Sequence, residues 1–352
     1  MKGNLFMRKA KVVFLGIILG SVSLSAIAQQ VPTAAPGSMP GIQSQNVLDL
    51  PKAAQDQISL DQLQPQNNAP VWREVNSTVE HYSSIKTPEA GVLIQQGGHE
   101  WQLLRNGVVT VFGGWLLALA FCAAGALYFV KGTIPINEGP SGRSMLRFTR
   151  LERASHWAMA YSFVILAISG IIIMWGRYFV LPVIGGSLYG PLTFLLKNVH
   201  NIVGPFFTIS VIVFFVLYVR DNIPTGADLK WLLSGGKGSS HRFNGGEKLW
   251  FWFGVTALGV VVSVSGWALN SSIPGVEYFT REQMQMANLV HGIASSLFMA
   301  MAVGHIYIGS IGMEGAYEGM KTGSVDENWG KEHHDLWYND VKAGGDHRGS
   351  RS

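Results

Sequence analysis

The sequence predicts an all-α membrane protein, and three observations carry that prediction. Of its 352 residues 48% are hydrophobic and only 14% charged. Five apolar stretches each approach the roughly 20 residues that take a helix across a bilayer. Basic residues crowd the connections on one side of those stretches and are sparse on the other, as membrane proteins arrange them.

The chain opens with Lys2, Arg8, Lys9 and Lys11, then an apolar run from Val12 to Leu24, then Ala26-Ile27-Ala28. A basic stretch, an apolar stretch and a small-residue site in that order read as a secretory signal peptide over residues 1–28. Cleavage after Ala28 leaves Gln29 outside the cytoplasm; an uncleaved anchor helix is the alternative. Residues 29–106 form a polar periplasmic segment. Its first half, Gln29 to Pro70, has a linker-like composition rich in Gln, Pro, Asn and Ser. The remainder, with Trp72, Val92-Leu93-Ile94 and Trp101, suits either packing on a partner or a lead-in to the membrane.

The five spans are Val108–Val130 (the first mature transmembrane helix, within 107–131), His156–Trp175, Leu192–Val219, Leu249–Leu269 and Gln285–Gly312. The last four make up a domain over 147–313, and 314–352 is a polar tail. Between the second and third spans, Gly185-Gly186 and two prolines predict a loop over 176–191. Lys131, Arg143, Arg147, Arg150 and Arg153 follow the first span, and Arg220, Lys230, Lys237, Arg242 and Lys248 follow the third; the opposite loops offer only Arg177 and Arg281. The positive-inside rule then puts the mature N-terminus in the periplasm and the C-terminal tail in the cytoplasm of a bacterial inner membrane. The signal peptide requires the same orientation independently.

Four histidines lie inside these spans. An imidazole in hydrocarbon is costly and points to a function with a partner. With the predicted topology His156 and His305 lie near the cytoplasmic face, and His200 and His291 nearer the outer one. His291 and His305 are fourteen residues apart, which is about 21 Å of helix rise with both on one face within about 40°. One helix can therefore offer a ligand to each of two sites stacked along the bilayer normal. Two facing imidazoles can ligate one haem iron from both sides. Zinc is disfavoured, because neither depth adds a cysteine or a well-placed carboxylate. Gly170, Gly204, Gly292 and Gly304 lie near these depths and suit either clearance for a porphyrin or close helix packing. The lone cysteine, Cys122, excludes cysteine-ligated iron–sulfur clusters and a C-x-x-C-H haem attachment. No basic run is interleaved with aromatics, which argues against nucleic acid. His333 and His334, beside Trp337 and Tyr338 in the tail, read as solvated or partner-facing, and His241 sits in a basic loop.

The run Leu151-Glu152-Arg153-Ala154-Ser155-His156-Trp157 resembles the start of the cytochrome b (gamma) subunit of membrane-bound respiratory formate dehydrogenase. The resemblance continues through Val199-His200 with Gly204, Asp221-Asn222-Ile223-Pro224, Asp228, Trp231-Leu232-Leu233, Phe243 to Lys248 with Phe251-Trp252, Val290-His291-Gly292, Gly304 to Tyr307, and the tail from Trp329 to Tyr338. It covers roughly residues 147–338. It implies a four-helix di-haem cytochrome b bundle, to which this chain adds one N-terminal transmembrane helix. Two haem b are implied, the inner held by His156 and His305 and the outer by His200 and His291. The implied partners are an iron–sulfur beta subunit and a molybdenum- or tungsten-containing formate-oxidising alpha subunit, with formate chemistry outside this chain. The implied acceptor is menaquinone or ubiquinone, bound near the cytoplasmic face by Asn244, Gly245, Gly246 and Glu247. Asn244 suits a hydrogen bond to a quinone carbonyl, the glycines allow close backbone approach, and Glu247, which is glutamine in some members, suits either a proton relay or an ion pair with Lys248 or Arg242 at the interface. The rival readings are the cytochrome b subunit of a hydrogenase or thiosulfate-reductase-like complex and, from another class, a haem-free membrane anchor or transporter.

Overall fold

The computed structural model describes residues 97–276 and 279–349 together with two short strands, β1 (His81–Tyr82) and β2 (Val92–Ile94). The predicted signal peptide and most of the polar segment fall outside the described residues. The chain divides into two units at His99. In the first, β1 and β2 pair antiparallel, with His81 opposite Ile94.

The described residues include five helices long and apolar enough to cross a membrane: Gly98–Lys131, whose first two residues fall before the boundary, and, within the second unit, Arg150–Phe179, Gly186–Asn222, Gly245–Leu269 and Arg281–Gly312. We number these spans one to five. All five correspond to the expected stretches and begin several residues earlier. For spans two, four and five the reason is local capping. Thr149, Asn244 and Thr280 each accept a backbone N–H of the following turn, while Glu152, Glu247 and Gln283 bond back to the cap's own N–H. Such capping boxes satisfy donors that a helix start leaves orphaned.

The 176–191 connection differs from the expected loop. Span two runs to Phe179, a short helix occupies Leu181–Ile184, and span three begins at Gly186. Pro182 sits in the first turn of the short helix and Pro191 in the second turn of span three. Proline is tolerated in the first turn, where backbone N–H groups lack an internal partner anyway, whereas Pro191 lies inside span three and removes one backbone hydrogen bond there without ending the helix. The break falls instead at Gly185, with φ of 72°, a conformation glycine adopts without a Cβ penalty.

Span one packs on spans two and five through small residues. A Cβ on Gly113 would lie 2.7 Å from Ser296 Oγ, and one on Gly114 3.2 Å from Trp175 Nε1. That indole N–H donates to the Thr110 carbonyl at 2.8 Å. Close backbone approach of this kind is how helices associate in lipid, where no hydrophobic force drives them together.

The tail is an ordered layer. Strand β3 (Ser144–Leu146) pairs antiparallel with β4 (Ser324–Asp326), tying the segment before span two to the chain after span five. Met145, Val325, Trp329, Trp337 and Ile136 form its buried core. His334 is fully buried there, which corrects the reading of it as solvated or partner-facing: the fold supplies the partners that its sequence neighbours do not.

Candidate functional site

The four membrane histidines meet as two pairs. The rings of His156 and His305 have centres 6.3 Å apart and planes inclined by 55°. Those of His200 and His291 are 6.2 Å apart and inclined by 71°. An imidazole nitrogen binds a first-row metal at about 2.0–2.1 Å and lies about 1.1 Å from its ring centre, so two imidazoles trans across one iron have centres about 6.3 Å apart. Both pairs meet that spacing. Among the described residues no three His, Cys, Asp or Glu side chains gather as a metal site, so each pair supplies two axial donors and no more. That donor set fits haem, whose porphyrin furnishes the other four nitrogens.

Tautomers follow from the surroundings. Ser169 Oγ lies 2.8 Å from His200 Nδ1 and donates its own proton to the Ile165 carbonyl at 2.8 Å. Ser265 Oγ lies 3.0 Å from His291 Nδ1 and donates to the Val261 carbonyl at 2.6 Å. Each hydroxyl has spent its single proton, so it accepts from the imidazole. Both Nδ1 atoms therefore carry hydrogen, and both Nε2 lone pairs are free for a metal. The other pair is held differently. His156 Nδ1 is buried without a hydrogen-bond partner among the described residues, and His305 stacks on Trp250 with centres 4.9 Å apart and planes at 15°.

Between the pairs lies an aromatic belt of Phe163, Phe207 and Phe298, with ring centres 4.8 to 6.3 Å apart. Phe163 follows His156 by seven residues and Phe207 follows His200 by seven, while Phe298 stands seven from both His291 and His305. Seven residues are nearly two turns, so each phenylalanine shares its helix face with a histidine.

Of the four glycines, Gly170 lies against the His200 ring, where a Cβ would sit 3.5 Å from Cε1. Gly292 packs on Val109 of span one, at 3.1 Å, and is a helix-packing residue. Gly204 and Gly304 have open space where a Cβ would project. Gly266, not singled out in the sequence, lies 3.3 Å from His291 Cε1 in the way Gly170 meets His200. The dipeptides Ser169-Gly170 and Ser265-Gly266 are thus one device used twice: a hydroxyl for Nδ1 and no side chain beside Cε1. That repeat was the available signal for two serines that sequence reasoning missed.

Below the His156–His305 pair lies the loop from Asn244 to Glu247. Asn244 Oδ1 accepts from Gly246 N at 3.0 Å and Glu247 N at 2.9 Å, and Glu247 Oε2 accepts from Asn244 N at 2.8 Å. A Cβ on Gly245 would meet the Asp228 carbonyl at 2.7 Å, and one on Gly246 the Trp231 ring at 3.2 Å. The loop is therefore the N-cap of span four, wedged under Trp231. Glu247 stays 35% exposed at its side chain while pairing with Arg147 at 3.0 Å, and its charge reaches His305.

Arg147 joins this loop to the tail. One guanidinium nitrogen, Nη2, shares its two hydrogens among the Arg242 carbonyl at 2.7 Å, Glu247 at 3.0 Å and His334 Nε2 at 3.1 Å. Arginine only donates, so His334 Nε2 accepts, and its Nδ1–H donates to the His241 carbonyl at 2.8 Å. Burial, and then the Arg147 charge, hold His334 down to about 3. Arg242, itself buried, contacts both Glu152 oxygens at 3.0 Å and also bonds Asp221. Glu247 thus pairs with Arg147, and Arg242, the partner the sequence offers it, binds Glu152 and Asp221 instead.

A multi-pass helical bundle that presents imidazoles in facing pairs defines an integral-membrane cytochrome of the b type. The comparisons narrow the class. The chain belongs to the prokaryotic cytochrome b561 family, whose model matches residues 147–323, and that family implies haem b. Curated relatives carry more specific names. The chain is 28% identical over 213 residues to the nitrate-inducible formate dehydrogenase cytochrome b556(Fdn) subunit of Escherichia coli K12, covering 57% of this chain and 93% of the relative. It is 28% identical to the formate dehydrogenase cytochrome b556(fdo) subunit of the same strain, covering 56% and 94%. With the cytochrome b556 subunit of Haemophilus influenzae formate dehydrogenase it shares 25% identity, covering 55% and 82%.

Proposed function

We propose that the chain is the membrane-anchoring cytochrome b subunit of a formate dehydrogenase, carrying electrons from a periplasmic iron–sulfur subunit to a quinone near the cytoplasmic face. The observation that carries this reading is the ring spacing of 6.3 and 6.2 Å in the two histidine pairs, which suits one iron between each. His156 with His305, and His200 with His291, would hold two haem b groups. When bound, these supply one-electron chemistry at iron. The names of the curated relatives support formate dehydrogenase over a hydrogenase or thiosulfate-reductase-like complex, with formate oxidised in a molybdenum- or tungsten-containing partner.

The chain's own residues hold and orient. Ser169 and Ser265 keep the outer imidazoles in the tautomer that turns Nε2 inward. Phe163, Phe207 and Phe298 fill the space between the pairs and exclude water from it. On the cytoplasmic side, quinone takes up two electrons and two protons to become quinol. Asn244 keeps its Oδ1 in the helix cap and offers its amide N–H to a quinone carbonyl. Glu247, partly exposed and beside His334, moves a proton to the reduced oxygen. The basic segments after spans one and three support a cytoplasmic loop and tail, and the apolar run ending at Ala28 supports a signal peptide and a periplasmic mature N-terminus.

Two measurements test this. The purified chain should show a dithionite-reducible b-type absorption band; its absence would eliminate the cytochrome ligands and leave a haem-free anchor. Mass spectrometry of co-purified subunits should find a formate-oxidising partner. A hydrogenase large subunit in its place would overturn the donor.

A further inference from the structure

The two histidine pairs differ in one respect that bears on the direction of electron flow. At the His200–His291 pair each Nδ1–H has an acceptor. Ser169 and Ser265 Oγ lie at 2.8 and 3.0 Å, and the Leu166 and Val262 carbonyls stand close enough to share those hydrogens. At the His156–His305 pair, His156 Nδ1 is buried without a partner among the described residues, and His305 is held by the Trp250 ring. This contrast rests on the haem-ligand reading above and goes beyond it.

We propose that Ser169 and Ser265 lower the reduction potential of the iron bound between His200 and His291, making that site the weaker electron acceptor of the two. An acceptor on Nδ1–H draws the proton outward and makes Nε2 a stronger donor. A stronger donor favours the ferric ion. Reduction adds one electron to ferric iron to give ferrous, and Nδ1 keeps its hydrogen throughout, so no proton is exchanged. The unpartnered imidazole of His156 is the poorer donor, and its iron accepts the electron more readily. Electrons entering at the serine-backed pair then run downhill to the other.

One competing effect needs weighing. Glu247 places a negative charge near His305, which by itself would lower the potential there. Arg147, at 3.0 Å from that carboxylate, neutralises part of its charge, and the proposal requires the hydrogen-bond contrast to outweigh the remainder.

The test is a spectroelectrochemical titration of the purified full chain, with each haem assigned by its loss in His200→Ala or His156→Ala. In the unaltered chain the lower-potential haem should be the one lost in His200→Ala; the reverse order overturns the proposal. The Ser169→Ala/Ser265→Ala double variant should shift that haem alone, upward, by about threefold to tenfold in its reduction equilibrium, tenfold being about 59 mV for one electron. The backbone carbonyls remain as partial acceptors, which limits the shift. Ser169→Thr, which keeps a hydroxyl, should retain the original potential. Two haems bound with both potentials unchanged in the double variant would sink the proposal while leaving the ligand assignment intact. Loss of the haem in Ser169→Ala and also in Ser265→Ala would make the hydroxyls a binding requirement and overturn their tuning role. A purified chain with no b-type band fails the ligand reading itself.

Discussion

Consider His305→Ala and His156→Ala, alone and together, beside His200→Ala and His291→Ala. The pairs join helices far apart in sequence: span two to span five at one depth and span three to span five at the other. Along span five the depths are separated by fourteen residues, about 21 Å of helix. That exceeds the 7–10 Å within which substitutions commonly couple, so the two sites should behave independently. Within a pair the opposite holds, since an iron deprived of one axial imidazole keeps a single protein ligand. Each single variant should bind about one haem instead of two, and His156→Ala/His305→Ala should lose no more than either alone. His156→Ala/His200→Ala should bind about none. The assay is the pyridine haemochrome ratio of haem to protein on chain purified from membranes, with the reduced α-band distinguishing which haem remains. Should His156→Ala and His291→Ala remove the same haem, the depth assignment fails. Were all four singles to retain two haems, the ligands would lie elsewhere.

Other outcomes follow from the inner end of the bundle. Arg242→Leu removes the buried partner of Glu152 and Asp221, itself only 2% exposed at its side chain, and leaves them the more exposed Arg348 at 3.3 and 4.0 Å; it should destabilise the chain by about 3 kcal/mol, measured as thermal unfolding in detergent. Arg242→Met combined with Glu152→Met should recover much of that loss; equal destabilisation would refute the stranded-charge account. His334 is held down to about 3, so below the unfolded imidazole value of about 6.5 the unfolded chain takes up a proton that the folded tail refuses. Its contribution is thus fully present above about pH 6.5 and lost on acidification at about 1.4 kcal/mol per pH unit. The protection factors of residues 324–342, exchange rates corrected for their intrinsic pH dependence, should fall from pH 6.5 to 4.5, and less so in His334→Gln; an equal fall in that variant would assign the effect to other groups. Asn244→Asp keeps the cap oxygens but removes the amide donor, so formate-driven haem reduction should survive while quinone reduction falls. Unchanged turnover would count against the quinone contact.

How far the site was legible in the sequence depended on the distance over which each signal acts. Helical rise sets depth, so counting along the spans paired His156 with His305 and His200 with His291, as the fold brings them together. Capping boxes are equally local. Thr149 with Glu152 and Thr280 with Gln283 were there to be read, and would have started spans two and five at the right residue. Asn244 with Glu247 carries the same three-residue signature, but was read for its chemistry alone. Contacts between distant segments were not legible. Arg242 and Glu152 are 90 positions apart, and nothing near either indicates that both are buried. His334 depends on Arg147 and His241, which reach it only after β3 and β4 join. Composition counted these arginines correctly as marks of one membrane face. It could not show that they close the bundle instead of meeting solvent.

That closure bears on where proton chemistry can occur. Around His200 and His291 the neighbouring polar groups are serines whose protons are committed to backbone carbonyls, and the phenylalanine belt seals the side toward the other pair. Among the described residues no carboxylate or lysine is bonded to either imidazole. Around His305 the situation reverses. Glu247 reaches it electrostatically, retains solvent access, and stands 3.7 Å from His334 Nε2. On the proposed reading electrons move between the sites while protons are confined to one end, and the asymmetry serves that role, because proton uptake beside His200 and His291 would offset the charge separation. The four histidines alone supply a symmetric pair of sites. The serines at one end, and the Arg147–Glu247–His334 cluster at the other, are what make those sites unequal.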